Sequence, residues 1–210
     1  MPTVVCPART RLGDSVVAIN NACLLAKEKS DVLLVPHRKI FSWEAREINR
    51  VIECFEFALS LFNLGSLKVS NEERMAKELS KLPQSSFVEN AKPFIREAHS
   101  LVLLDLFPRC GCNKFSKELQ DKILEVAKEL GEPVDLHRFA NRNGLSSTLG
   151  LFKLAKCFIG ADSGFAHVSH ALGVPCFMFR NRGRVGKLEK WHNGNQYTLV
   201  EDPEDLLLYK

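Results

Sequence analysis

One short segment of the chain combines small residues, a carboxylate, a hydroxyl and an imidazole. It reads Gly160-Ala161-Asp162-Ser163-Gly164-Phe165-Ala166-His167. Small residues let the backbone come close to a ligand, and the free amides and positive dipole end of a helix start attract anions. The pattern therefore predicts a diphosphate-binding turn. It is also typical of an ordinary capped turn, with Ser163 as the cap and His167 as a hydrogen-bonded core side chain.

Such a turn needs a strand before it and a helix after it, and the amino-terminal part of the chain shows that arrangement too. A β-rich run at Thr3–Cys6 precedes a loop, an amphipathic stretch and a second apolar run at residues 31–35. Asp14 or Ser15 is available to cap the helix. This order of elements predicts half of a nucleotide-fold unit.

The middle of the chain is predicted to be mainly helical and then to break. Apolar positions repeat with helical period from Ser42 to Phe62, and a capping box at residues 70–73 favours another helix. The polar stretch from Pro83 to Pro93 is typical of a boundary between lobes. We therefore expect two lobes, at residues 1–90 and 91–210.

Strands and helices alternate after this boundary. The predicted strands are Leu101–Phe107, Val134–Phe139, Cys157–Ile159 and Val174–Phe179, and the predicted helices are Ser116–Leu130, Ser147–Lys156 and Gly164–Leu172. Continuous apolar strands of this kind are expected in parallel sheets that are covered on both faces. The sequence thus predicts an α/β protein with two small Rossmann-like lobes, each with a parallel sheet.

Composition narrows the class of protein further. The 210 residues are 45% hydrophobic and 26% charged, which excludes a disordered or low-complexity chain. A net charge of +4 suits phosphate-bearing or acidic ligands but is too small to indicate nucleic-acid binding. Seven cysteines without a signal-peptide pattern indicate free thiols and a cytoplasmic location. No apolar run approaches the roughly 18 residues of a membrane span, so we expect any membrane contact to be peripheral.

The turn around Ser163 resembles a known family. Asp162-Ser163-Gly164, followed by His167, Ala171-Leu172-Gly173 and Pro175, is similar to the donor-site signature of glycosyltransferase family 9, the heptosyltransferase-type enzymes. These are inverting, metal-independent transferases of the GT-B fold, in which two Rossmann-like lobes face each other across a cleft. The resemblance implies a compact GT-B form, with an acceptor-side lobe at 1–90 and a nucleotide-sugar donor lobe at 91–210. It implies donor contacts from this turn, including Phe165, and no metal or other cofactor.

A second match is Arg11-Leu12-Gly13-Asp14, which follows the first strand as Arg-x-Gly-Asp does in that family. The resemblance implies that Asp14 is the catalytic base and that Gly13 lies in the donor site. A carboxylate there can accept the proton of an acceptor hydroxyl while that oxygen attacks the anomeric carbon. The alternative is that Asp14 only caps the following helix.

A third match is Lys114-Phe115 with Glu118, where the family carries Lys-x-Trp ahead of a helix. The resemblance implies that the Lys114 ammonium neutralises the leaving diphosphate. The alternative is a solvated lysine. After Phe139 the chain carries Asn-Arg-Asn at 141–143, where the family often has an acidic residue that contacts the ribose. The identities of the donor base and sugar are therefore left open.

The resemblance predicts transfer of a sugar from a nucleotide-diphosphate donor to the hydroxyl of a glycan or lipid-linked acceptor. The short region from Phe41 to Asn90 favours an alternative, a non-catalytic nucleotide-sugar-binding module derived from such an enzyme. The basic stretch Arg180–Lys190 suits donor phosphates, an acidic acceptor or an anionic membrane surface, or is a solvated loop. A nucleic-acid-binding domain using this stretch ranks last.

Neither the cysteines nor the remaining histidines predict a metal site. Cys110-Gly-Cys112 is too closely spaced for the usual zinc pairs. His37, His99 and His137 share no ligand spacing, so the sequence assigns them no role.

Overall fold

The chain folds as two compact units of the α/β class, Met1–Lys92 and Pro93–Lys210. The structure, a computed structural model, describes residues 3–6, 11–28, 32–34, 45–62, 64, 68–69, 77–78, 100–106, 115–179 and 197–209. All pairings between the described strands are parallel, and the strands form one sheet in each unit. The predicted α/β class with parallel sheets is therefore confirmed.

The first unit has a four-stranded sheet. Its elements are β1 (Thr3–Cys6), α1 (Leu12–Glu28), β2 (Val32–Leu34), α2 (Ala45–Leu61), β3 (Lys68–Val69) and β4 (Lys77–Glu78). The strands lie in the order β3-β2-β1-β4. The chain therefore builds outward from β1 in one direction and then crosses to its other side, which is the order of a Rossmann-type half.

Helix α1 begins earlier than the sequence indicates. It starts at Leu12, and the N–H of Ser15 donates to the carbonyl oxygen of Arg11 at 3.0 Å. Asp14 and Ser15 thus lie inside the first turn, and the prediction that one of them occupies the capping position is wrong. Leu12 and Gly13 are both buried, so packing extends the helix toward its amino terminus.

Strand β4 corrects the prediction of a mainly helical middle. Lys77 pairs in parallel with Val5 of β1, although a helix was predicted to follow the capping box at residues 70–73. The box itself lies outside the described residues. Strand β1 is paired on both sides, with β2 and with β4. Its backbone groups on the β4 side need hydrogen-bond partners, and this tertiary requirement overrides the local helix signal.

The second unit has a five-stranded sheet. Its elements are β5 (Leu101–Asp105), α3 (Lys117–Leu130), β6 (Glu132–Asp135), α4 (Leu136–Asn143), α5 (Thr148–Lys153), β7 (Ala155–Gly160), α6 (Gly164–Ala171), β8 (Cys176–Phe179), β9 (Thr198–Val200) and a 3₁₀ helix (Pro203–Tyr209). The strands lie in the order β6-β5-β7-β8-β9. Connections from β5 and β7 leave in opposite directions, so the topological switch point falls between these two strands.

The burial of side chains in the second unit follows from the order of its strands. All five residues of β5 are buried, as expected for a strand near the middle of a covered parallel sheet. Ile123 and Ala127 of α3 and Leu206 of the 3₁₀ helix pack in one apolar cluster with β5, β7, β8 and β9. Strand β6 lies at the edge of the sheet, where Pro133, which lacks an N–H group, is tolerated.

The predicted strand at Val134–Phe139 overlaps β6 at its first two residues and is wrong from Leu136 onward. Strand β6 ends at Asp135, whose side chain accepts a hydrogen bond from the N–H of Arg138 at 2.9 Å and so caps α4. A capping carboxylate satisfies a free helix amide, and Leu136 is fully buried at the first helical position. The other predicted elements of this unit agree with the structure to within a few residues, while β9 and the 3₁₀ helix were not predicted. No helix in the described ranges combines the length and apolar character needed to span a membrane.

Candidate functional site

The carboxyl ends of β5 and β7 form the best-defined candidate site of the second unit. Asp105 ends β5 and lies opposite Gly160, which ends β7. We call this place the switch edge and define it by Asp105, Gly160 and the first residues of α4 and α6. Open α/β sheets bind ligands outside the carboxyl ends of their strands at such a switch point.

Gly160 is required at the switch edge because the two strands approach closely there. A Cβ atom at this position would lie 2.8 Å from the Asp105 carbonyl oxygen and 2.9 Å from Cζ of Phe158. Real Cβ atoms essentially never come so close to a neighbouring heavy atom. The backbone that leads into the predicted diphosphate turn therefore packs directly against the end of β5.

Helix α6 begins at this turn with a capped first turn. Ser163 has an extended backbone, and its hydroxyl accepts a hydrogen bond from the N–H of Ala166 at 3.4 Å. The capped turn predicted as one alternative is therefore present. Gly164 and Phe165 supply the first helix amides, which have no acceptor within the helix. A cap on Ala166 leaves those amides suited to a phosphate oxygen.

His167 is buried in the first turns of α6. Its ring Nε2 lies 3.9 Å from a carboxylate oxygen of Asp162. Burial, together with the nearby charge of His170, lowers the pKa of His167 to about 4. The Asp162 side chain is 27% exposed, so solvent screens its attraction for a protonated His167 ring. Burial therefore determines the direction of the pKa shift of His167. At neutral pH His167 is therefore uncharged and brings no positive charge to the turn.

Sequence reasoning missed a polar pair at the switch edge, Asp105 and His137. Asp105 is 0% exposed, and its Oδ1 lies 3.0 Å from Nε2 of His137. Among the described residues, neither carboxylate oxygen of Asp105 accepts a hydrogen bond of good geometry. The His137 ring also packs edge-on against Phe165, with ring centroids 5.3 Å apart. Asp105 is an acidic residue at the end of the otherwise apolar strand β5, and this pattern in the sequence could have identified it as a candidate site residue.

The predicted catalytic residue and its neighbour belong to the first unit. Gly13 and Asp14 are the second and third residues of α1, in the turn that follows β1. Gly13 is buried and Asp14 is partly exposed. An acidic side chain in the first turn interacts favourably with the positive end of the helix dipole. The structure thus places both residues at a helix start, and the role of Asp14 as a base is untested.

The third sequence match falls partly outside the described residues. Lys114 is not among them, and neither is the basic stretch Arg180–Lys190. Phe115 is buried in the core, where its ring meets that of Phe179 edge-on at 6.2 Å. Glu118 is exposed and lies 3.5 Å from Lys122 one turn later in α3.

No three His, Cys, Asp or Glu side chains come together as a potential metal site within the part of the chain that the structure describes. Cys110 and Cys112 lie outside that part.

Comparisons with known proteins find similarity to two solved structures. No family model and no curated protein matches the sequence. The iron-containing dodecameric glycosyltransferase TibC of enterotoxigenic E. coli is 10% identical, with a TM-score of 0.48 over 85% of this chain. The chain spans 57% of the TibC chain. E. coli heptosyltransferase WaaC, solved with ADP-2-deoxy-2-fluoro heptose, is 12% identical, with a TM-score of 0.49 over 98% of this chain and 96% of its own.

Proposed function

We propose that this protein is an inverting, metal-independent glycosyltransferase that moves a sugar from a nucleotide-diphosphate donor to an acceptor hydroxyl. One observation carries the proposal: the Asp162-Ser163-Gly164 turn and His167 lie at the topological switch point of a parallel sheet. Ligands of such sheets bind at this point, and helix amides suited to a phosphate begin there. The proposed function thus joins a motif resemblance to a ligand-binding position in the fold.

The proposed reaction needs a base and a group that stabilises the departing diphosphate. Asp14 accepts the proton of the acceptor hydroxyl as that oxygen forms a bond to the anomeric carbon from the face opposite the leaving group. The bond between the anomeric carbon and the phosphate oxygen breaks, and the diphosphate leaves with the electron pair. Lys114, Ser163, Gly164 and the helix amides ahead of His167 hold the departing diphosphate and balance its negative charge.

The remaining predicted residues have supporting roles in this proposal. Gly13 and Phe165 shape the donor site, and neutral His167 donates a hydrogen bond to the donor. Asp162 braces the turn or contacts the transferred sugar. The proposed acceptor is a glycan or a lipid-linked saccharide, used in the cytoplasm with peripheral contact to a membrane through Arg180–Lys190.

The first test is a thermal-shift screen of nucleotide sugars with the purified chain. A donor at about 100 times its dissociation constant stabilises the folded state by roughly 2.7 kcal/mol. Transfer and hydrolysis of the sugar from the selected donor are then measured. Turnover supports the enzyme, whereas donor binding without turnover supports a non-catalytic nucleotide-sugar-binding module.

The base assignment is tested with Asp14→Asn, which keeps the size of the side chain and removes its ability to take a proton. We expect transfer to be abolished and donor affinity to be nearly unchanged. The matched control is Asp121→Asn on the exposed face of α3. Unchanged turnover in Asp14→Asn would remove Asp14 from the mechanism.

The diphosphate assignment is tested with Lys114→Ala, for which we expect weaker donor binding. Lys117→Ala removes an exposed lysine close by in sequence and serves as the control. Equal donor affinity in Lys114→Ala and the unaltered protein would strike Lys114 from the site.

A further inference from the structure

We propose that His137, held in place by the buried carboxylate of Asp105, binds a phosphate group of the ligand at the switch edge. His137 is then a ligand-binding residue, and Asp105 is a positioning residue that acts through it. Naming the ligand as the diphosphate of a nucleotide sugar rests on the proposed function. The anion site itself rests on the geometry of the pair.

The buried position of Asp105 requires a compensating group. Its side chain is 0% exposed, and an isolated carboxylate in such a position is costly unless it is paired. In the part of the chain that the structure describes, His137 is the basic side chain within ion-pair distance, at 3.0 Å. A protonated His137 balances the buried charge with a full positive charge, which a neutral ring cannot supply.

The two members of the pair differ in access to solvent. Asp105 is sealed, so a ligand cannot reach its oxygens directly. The His137 side chain is 25% exposed and is therefore open to contact from outside. The pair thus points its negative end into the protein and its positive end outward. This orientation attracts an anion even though one of the two groups is a carboxylate.

The surroundings of His137 fit the same kind of ligand. His137 is the second residue of α4, so it stands at one helix start, and its ring packs against Phe165 in the first turn of α6. Two helix starts therefore meet at this ring, and because the Asp135 carboxylate caps α4, the free amides suited to an anion are those of α6. His167 on α6 is neutral at ordinary pH because its pKa is lowered to about 4, so it cannot supply the charge. A cationic His137 supplies it.

The test uses inorganic pyrophosphate and the whole chain with nitrogen-15-labelled histidine. We expect the ring signals of His137 to shift in a saturable way as pyrophosphate is added, and His137→Gln identifies those signals by their loss. Asp105→Asn should change the nitrogen shifts of His137 in the free protein, since the ring loses its charged partner. A merely structural contact would leave the ring signals insensitive to pyrophosphate.

Affinity measurements by calorimetry complete the test. His137→Gln should weaken pyrophosphate binding about tenfold, as expected for loss of one charge-assisted hydrogen bond. Asp105→Asn should also weaken binding, because the His137 ring loses the charged partner that positions it. Arg142→Gln removes a positive charge from the exposed far end of α4 and should change affinity less than twofold. If Asp105→Asn fails to fold, the titration of the unaltered protein and His137→Gln decide the outcome.

The two proposals fail in different ways. If the His137 signals respond to pyrophosphate but no nucleotide sugar is turned over, the anion site stands and the transferase proposal falls. If a sugar is transferred while His137→Gln keeps the same KM, kcat and pyrophosphate affinity, the transferase stands and the role of His137 is overturned.

Discussion

The close approach of Gly160 to β5 gives the sharpest test of the switch edge. In Gly160→Ala the new Cβ would lie 2.8 Å from the Asp105 carbonyl oxygen, which belongs to the backbone of a buried central strand and cannot rotate away. Overpacking of this kind costs about 1–3 kcal/mol. Alanine also reduces the freedom of the unfolded chain, which returns about 0.4–1 kcal/mol. We therefore expect a net loss of up to about 2.6 kcal/mol in the second unit, with a central value of about 1.3 kcal/mol.

A matched control lies in the same unit. Gly150 is inside α5, and a Cβ placed there meets nothing within 4 Å. Gly150→Ala should therefore stabilise the helix by about 0.5–1 kcal/mol, since glycine inside a helix is unfavourable relative to alanine. The two identical substitutions are expected to change stability in opposite directions.

Amide hydrogen exchange measures both effects where they occur. A loss of about 1.4 kcal/mol in opening free energy speeds exchange tenfold, so the amides of β5 and β7 should exchange several-fold to about thirtyfold faster in Gly160→Ala. Pyrophosphate affinity should fall with it, because α6 begins four residues after Gly160. Exchange rates in Gly160→Ala equal to those in Gly150→Ala would refute the close strand approach at the switch edge.

Three further predictions concern α6 and the buried thiols. Burial lowers the pKa of His167 from 6.5 to about 4, so its contribution to the free energy of unfolding is complete above pH 6.5 and falls by up to about 3 kcal/mol as the pH drops to 4. Urea unfolding should show this loss of stability between pH 6.5 and about pH 4, and His167→Gln should reduce the pH dependence. Ser163→Ala and Ser116→Ala each remove a helix cap and should each cost about 1 kcal/mol, but only Ser163→Ala should weaken pyrophosphate binding by calorimetry. Burial raises the pKa of Cys157 to about 11 and that of Cys176 further, so both thiols should resist labelling by a disulfide reagent until the protein unfolds; rapid labelling of the native protein would contradict their burial.

Local sequence signals were sufficient to predict an element when a capping residue begins it and a terminating residue ends it. Helix α3 was predicted from Ser116 to Leu130, and Ser116 does cap it while Gly131 ends it. The sequence failed where two local patterns competed. The strand was predicted to run from Val134 to Phe139, but the Asp135 side chain accepts a hydrogen bond from the N–H of Arg138 and a helix begins at Leu136 instead.

Tertiary pairing explains what the sequence could not predict in the candidate site. The turn around Ser163 is contiguous in the chain, so its residue types were sufficient to find it. Asp105 and His137 are far apart in sequence and meet because β5 and β6 are neighbours and α4 follows β6 directly. No spacing rule for metal ligands or catalytic pairs connects them, and His137 was therefore given no role.

The order of strands in each sheet supports a ligand-binding role for each predicted motif, and the residues of the motifs alone do not provide this support. In the first unit, β1 lies between β2 and β4, so the turn from β1 into α1, which carries Asp14, follows the strand at which the sheet changes direction. In the second unit, β7 lies beside β5 at the corresponding change, and its turn carries Ser163. Capping residues occur after any strand, whereas a ligand-binding turn is expected only after a strand beside a switch point. Both motifs meet that stricter condition, each within its own sheet. This favours binding over capping alone as the reason for their composition.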